Sequence, residues 1–250
     1  MSTLLIEGGR RLSGVVEVEG NKNAALPLLA ACLLTREECV LTNVPRIKDV
    51  EVMAHLLIDL GAHIEGLGTT TLRVCCADVT KDEPDPTLVG RLRGSVLLLG
   101  PLLARRGRAV LAPPGGDFPA RRTIATHLEA LVSMGAVVVD APGHVLELPK
   151  GLRPTSIYLY EASVTGTETA LLAAAAAPGR SEIRHAACEP HVVELCEFLK
   201  KLGVGMNGVG TTTIQVDGGG ALHSAQHRLW GDYIEAGSWA VVAAVTKIPF

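Results

Sequence analysis

Three stretches of this chain are versions of one another: HLLIDLGAHIEGLGTTTLRV at 55–74, ALVSMGAVVVDAPGHVLELP at 130–149 and FLKKLGVGMNGVGTTTIQVD at 198–217. Each closes an amphipathic helical pattern on a glycine (Gly61, Gly135, Gly203), then runs strand, glycine turn, strand. The glycines recur about every seventy residues, and a period of that size marks a repeated supersecondary unit. The preceding stretches match as well. ALPLLAACLLTREECVLTNVP, SVLLLGPLLARRGRAVLAPPGG and TETALLAAAAAPGRSEIRHAACEP each read as apolar helix, tight turn and β-rich run. GVVEVEG at 14–20 alternates apolar and polar residues and is expected to be the opening strand of the first copy. The unit is therefore βαβαββ. Three copies fill residues 14–220 as one α/β domain, with apolar helices inside and sheets outside. A fourth copy starts at GDYIEAGSWAVVAAV (231–245). On repeat logic the chain is C-terminally truncated, and 1–13 with 221–250 form part of a second domain.

Composition narrows the chemistry. Apolar residues make up 48% of the 250 residues but aromatics only 3%, so Ala, Val, Leu and Ile must build the core. The net charge of −3 gives no bulk attraction to nucleic acid or to anionic membranes, so any phosphate site must be local. The six cysteines form no C-x-x-C pair and read as reduced, mostly buried thiols of a cytoplasmic protein. The first residues, MSTLLIEGGRR, lack the basic and apolar regions of a signal peptide, and Ala170–Ala177 is too short to span a bilayer.

The repeat also sorts the polar residues. GNKN (20–23), RLRGS (91–95) and SVTGTE (163–168) each stand just before an apolar helix. Helix starts offer unpaired N–H groups and a positive dipole end, and Lys22, Arg93, Ser163 and Thr165 make these three candidate anion sites on one side of the domain. Ser163 and Thr167 read equally as ordinary helix caps. No Walker P-loop and no strand-to-helix G-x-G-x-x-G is present. The loop APPGGDFPARR (112–122) is longer than its two equivalents. Its Asp117 is either the cap of a helix beginning near Pro119 or an acid beside an anion held by Arg121 and Arg122. His127 on that helix reads as a packing or supporting group. His185, His191, His223 and His227 do not make a zinc site, the last two having no carboxylate nearby in sequence.

In order along the chain, GNKNAALPLLAA, RLRGS…LGPLLAR, PGGD…R, SVTGTE…LLAAA and GDYIEAG resemble the UDP-N-acetylglucosamine 1-carboxyvinyltransferases. These are the enolpyruvyl transferases that begin peptidoglycan precursor synthesis, and so bear on cell wall biogenesis, cell shape and division. The related shikimate-pathway enzymes are the weaker match, since they carry Ser-Lys-Ser where this chain has Asn21-Lys22-Asn23. The resemblance implies an inside-out α/β barrel of repeated βαβαββ units. It implies transfer of the enolpyruvyl group of phosphoenolpyruvate to the sugar 3′-hydroxyl with release of phosphate, by a monomer without cofactor or metal. It further implies that Lys22 and Arg122 grip phosphoenolpyruvate, and that Asn23, Arg93, Ser163, Val164 and Thr165 line the nucleotide-sugar site. Asp232 matches the base for the 3′-hydroxyl. Asp117 matches the proton-donor position, which is cysteine in most members. A carboxylate is alkylated far less readily than a thiolate, so insensitivity to fosfomycin is expected. Thr123, Ile124 and Ala125, and Cys188, depart from the family pattern, and the nucleotide contact at 125 is lost. A nucleotide-sugar-binding module without catalysis and an interaction scaffold are the rival readings.

Overall fold

The computed structural model describes residues 3–5, 7–9, 12–115, 123–139 and 144–246. The first unit runs α1 (Lys22–Cys32), β1 (Glu38–Thr42), α2 (Lys48–Asp59), β2 (His63–Glu65) and β3 (Thr71–Cys75). The second has a short α3 (Pro86–Val89) and a 3-10 segment (Arg93–Leu98) that continues into α4 (Leu99–Arg106). It goes on through β4 (Arg108–Leu111), α5 (Ala125–Ser133), β5 (Val137–Val139) and β6 (His144–Glu147). The third is β7 (Ser156–Tyr158), α6 (Val164–Ala176), β8 (Gly179–Arg184), α7 (Pro190–Lys201), β9 (Gly205–Asn207) and β10 (Thr213–Gly218). Then come β11 (Gln226–Arg228) and α8 (Tyr233–Thr246).

The three sheets share one plan. Their orders are β11-β1-β3-β2, β4-β6-β5 and β7-β8-β10-β9. In each, the strand after the apolar helix pairs antiparallel with the second strand of the hairpin. The helix-ending glycines carry the repeat at backbone level. Gly61, Gly135 and Gly203 have φ of 111°, 106° and 109°, where a side chain would strain the turn. The hairpin turns of units one and three agree atom for atom. Thr69 Oγ1 donates to Gly66 O or Thr71 O at 2.8 and 2.9 Å, and Thr211 Oγ1 to Gly208 O or Thr213 O at 2.7 and 2.9 Å.

The expected opening strand at 14–20 is not one. Residues 12–19 carry no strand, and Val15 is 95% exposed. The end of the segment is tied down by an isolated bridge, Gly20 to Gly231, and by contacts of Glu19 with Asp232 and Glu235. Alternation makes a sequence able to be a strand, but a strand exists only with a hydrogen-bonding neighbour. The parallel neighbour of β1 is instead β11, which follows the third unit and pairs Val40 with Gln226, Leu41 with His227 and Thr42 with Arg228. The first sheet is thus completed by the last strand. In unit three β7 plays this part, and in unit two the Val110 N–H reaches the Asp82 carbonyl at 2.9 Å.

The core lies between the sheets. α1 and α6 are buried nearly all round beyond their first turns, where their sequences run to ALPLLAAC and ALLAAAA. Small residues allow the close approach: a Cβ on Gly100 of α4 would lie 3.3 Å from the Thr169 carbonyl of α6. Arg105 at the end of α4 donates to the carbonyls of Leu33, Thr35, Cys76 and Ala77, which binds unit one to unit two. Of the cysteines, Cys32, Cys39, Cys76 and Cys196 are buried free thiols, Cys75 is half-buried and Cys188 is exposed. In α8 no residue is buried. Among the described residues, no helix is long and apolar enough to cross a membrane.

Candidate active site

The site begins with α6. Ser163 caps it, its Oγ accepting from the Gly166 N–H at 3.2 Å. Thr167 is no cap: its hydroxyl donates to the Ser163 carbonyl and accepts the Ala187 N–H. Gly166 brings α5 against this turn, since a Cβ there would meet Thr126 Cγ2 at 2.8 Å and Ser163 Cβ at 3.0 Å. Between the two helices opens a cleft of about 550 Å³, lined by Arg93, Thr123, Thr126, His127, Glu161 and 162–165. Four of the expected binding residues, Arg93, Ser163, Val164 and Thr165, therefore share one concave surface. Arg93 donates to the Thr123 carbonyl at 2.9 Å. The start of α6 adds a positive dipole end to the same wall.

Lys22, Asn23 and Asp232 lie at a second place, where two segments cross. The Asn21 N–H donates to the Trp230 carbonyl at 3.0 Å, and the Asp232 N–H to the Glu19 carbonyl at 2.8 Å. This brings the starts of α1 and α8 together. Lys22 pairs with Asp49 at 2.9 Å and both remain about two-fifths exposed. Asp232 Oδ1 accepts the Ile234 and Glu235 N–H groups, so one oxygen of the expected base is engaged in capping α8. Beside it, Tyr233 stacks on His191, and burial with Glu189 and Asp232 nearby raises the phenol above its ordinary range. The 3-10 segment joins the two places: Gly94, next to Arg93, stands against Leu26 of α1.

Asp117 and Arg122 lie outside the described residues. The helix after the loop begins at Ala125, not near Pro119, and Thr123 Oγ1 accepts the Ala125 N–H at 3.0 Å. His127 supports the cleft from behind. It is 3% exposed, with Nδ1 at 2.8 Å from Thr169 Oγ1 and Nε2 at 3.2 Å from Thr165 Oγ1. Burial, with Arg93 nearby, pushes its imidazole down to about 4. Sequence reasoning missed Thr126 and Glu161, which are 3.4 Å apart in the cleft wall. Glu161 stands two residues before the Ser163 cluster, and that adjacency was its only signal. A carboxylate does stand near His223 and His227, far from the cleft. His227 Nε2 is 2.9 Å from Glu194 Oε1 with both buried, and His223 is 4.0 Å from Glu37. Among the described residues, no group of three or more acidic, His or Cys ligands is placed to hold a metal.

The sequence profile of EPSP synthase (3-phosphoshikimate 1-carboxyvinyltransferase) matches residues 6–248. The chain belongs to the EPSP synthase family. Within that family its similar curated relatives carry another name. A UDP-N-acetylglucosamine 1-carboxyvinyltransferase of Bradyrhizobium diazoefficiens is 45% identical over 98% of this chain and 57% of that protein. The protein of that name from Treponema denticola is 41% identical over 99% of this chain and 58% of its own length. The chain spans about 57% of the length of the curated relatives it matches. Among solved structures, the enolpyruvyl transferase NikO from Streptomyces tendae aligns with a TM-score of 0.80 at 26% identity, over 94% of this chain and 55% of that one. An EPSP synthase from Acinetobacter baumannii shares the fold, with a TM-score of 0.76 at 20% identity, over 95% of this chain and 54% of that one. The repeated α/β architecture is that of enolpyruvyl transferases.

Proposed function

We propose that this chain carries the nucleotide-sugar half of a UDP-N-acetylglucosamine 1-carboxyvinyltransferase, acting in the cytoplasm as a monomer at the entry to peptidoglycan synthesis. The observation that carries this reading is the 550 Å³ cleft in which Arg93, Ser163, Val164 and Thr165 line one wall at the start of α6. A diphosphate suits a guanidinium beside a helix N-terminus, and the names of the relatives supply the nucleotide sugar. Lys22 and Arg122 hold phosphoenolpyruvate, with Asn23 on the sugar side. Asp117 delivers the proton to the vinyl carbon and Asp232 takes the proton of the 3′-hydroxyl. Asn21-Lys22-Asn23 argues against shikimate 3-phosphate as acceptor. We place the boundary between the three-unit domain and the part-domain of 1–13 and the C-terminal segment after Arg228, because β11 is hydrogen-bonded into the first sheet.

The engagement of one Asp232 oxygen in capping α8 favours one second reading, a binding module without turnover. Calorimetry with UDP-N-acetylglucosamine, run beside a phosphate-release assay with phosphoenolpyruvate, separates the two. Binding with release supports transfer. Binding without release supports the module. A chain that does neither contradicts both.

A further inference from the structure

Three side chains behind the cleft form a chain with a direction. Thr169 Oγ1 lies 2.8 Å from His127 Nδ1, and His127 Nε2 lies 3.2 Å from Thr165 Oγ1. The imidazole is buried, with a guanidinium near it, and is neutral at pH 7. One ring nitrogen therefore carries hydrogen and the other accepts. Thr169 decides which. It is fully buried on α6, and among the described residues its hydroxyl meets no other hydrogen-bond partner, its own helix carbonyls included. If it accepted from Nδ1–H, its own O–H would be a buried donor without an acceptor, which folded proteins rarely tolerate. It donates to Nδ1 instead. Nδ1 is then the accepting nitrogen, and Nε2–H donates to Thr165 Oγ1. With that oxygen receiving from the ring, the Thr165 O–H cannot point back at the imidazole. Thr165 lines the same cleft as Arg93, at the second helical position of α6.

We infer that Thr169, His127 and Thr165 are a hydroxyl–imidazole–hydroxyl relay that fixes the Thr165 O–H as a donor into the cleft, aimed at an anionic oxygen of the ligand. Thr165 is a binding residue; His127 and Thr169 are positioning residues. On the nucleotide-sugar reading, on which this inference rests, the acceptor is a diphosphate oxygen. The arrangement differs from a solvent-exposed threonine, whose hydroxyl rotates freely and must be ordered on binding. Here the proton's direction is set before the ligand arrives, by the imidazole of His127 and the buried hydroxyl of Thr169.

The test has two parts, both on the chain as it stands. A long-range proton–nitrogen correlation spectrum of the free protein reports which nitrogen of His127 bears hydrogen. The Nε2–H tautomer is expected, and Nδ1–H overturns the inference. Calorimetry with UDP-N-acetylglucosamine then compares variants that melt like the parent. Thr165→Val is expected to bind about tenfold more weakly, the effect of one hydrogen bond to a charged group, with Thr165→Ser within about twofold of the parent. Thr169→Val is expected to weaken binding several-fold and to change the His127 spectrum, which loss of packing alone would not do. Parent-like affinity of Thr165→Val overturns the relay while leaving the nucleotide-sugar reading intact. A parent chain that does not bind the nucleotide sugar overturns that reading and the diphosphate assignment with it.

Discussion

His127 and Glu168 are buried titratable groups whose burial acts in opposite directions. Burial disfavours the charged form of each, so the imidazole is pushed down to about 4 and the Glu168 carboxyl is held well above the usual carboxylate range, with Glu189 adding to the effect. For His127 the folded value lies below the unfolded value of about 6.5. Between those values the unfolded chain binds more protons, so stability falls as pH drops through that window and is flat above it. The loss is on the order of 3 kcal/mol by pH 4, and urea melts across pH 4–7 should show it in the parent and not in a His127→Gln variant. Glu168 has the reverse sign. Its folded value is raised, so its contribution is complete below the unfolded value and declines as pH rises above it. Glu168→Gln removes the ionisable group, and melts at rising pH should show a decline in the parent that the variant lacks. A variant that follows the parent at every pH would mean that Glu168 ionises without cost. Neither titration was legible in the sequence. His127 read as a packing or supporting group and Glu168 as the last letter of SVTGTE, because burial and partners are set by which helices meet, and no local pattern records that.

The helices and turns were more readable than the strands. The glycines ending α2, α5 and α7, and the matching TTT turns, are local chemistry repeated, so sequence comparison found them. GVVEVEG failed as a strand because pairing is not local, and β11 went unseen because three residues, Gln226–Arg228, carry no alternation to detect. The start of α5 was misplaced by the attraction of a proline-rich loop, whereas the helix opens at Ala125, whose N–H is accepted by Thr123 Oγ1, with Ile124 at the capping position. Close approach between elements gives a pair of contrasting expectations. Gly166→Ala forces a methyl to within 2.8 Å of Thr126 and 3.0 Å of Ser163. It should cost about 1–3 kcal/mol as overpacking and should weaken ligand binding, because it moves the cleft wall. Gly237→Ala in exposed α8 meets nothing within 4 Å, and should instead stabilise that helix by about 0.5–1 kcal/mol. Chemical denaturation of the two variants checks both signs, and equal effects would contradict the packing described for α5 and α6.

Across the whole molecule, one plan is used three times and each copy is put to different use. The starts of α1, of the 3-10 segment before α4 and of α6 carry Lys22, Arg93 and Ser163, and the last two face one cleft while the first stands at the crossing of 19–21 with 230–232. The repeat predicted those three helix starts, and the resemblance assigned them ligands. Neither reached Thr126 and Glu161, which line the same cleft from α5 and from the loop before α6. α8 follows the three units with no buried residue, and Trp239 and Val241 remain 41% and 62% exposed. On this reading the cleft between α5 and the start of α6 holds the nucleotide sugar. A crystal structure of the chain with UDP-N-acetylglucosamine tests it most directly. The diphosphate is expected within hydrogen-bonding distance of Arg93 and the Ser163–Thr165 turn, with the Thr165 hydroxyl donating to it. A ligand bound elsewhere on the molecule, leaving Arg93 and Thr165 without contact to it, would contradict the claim.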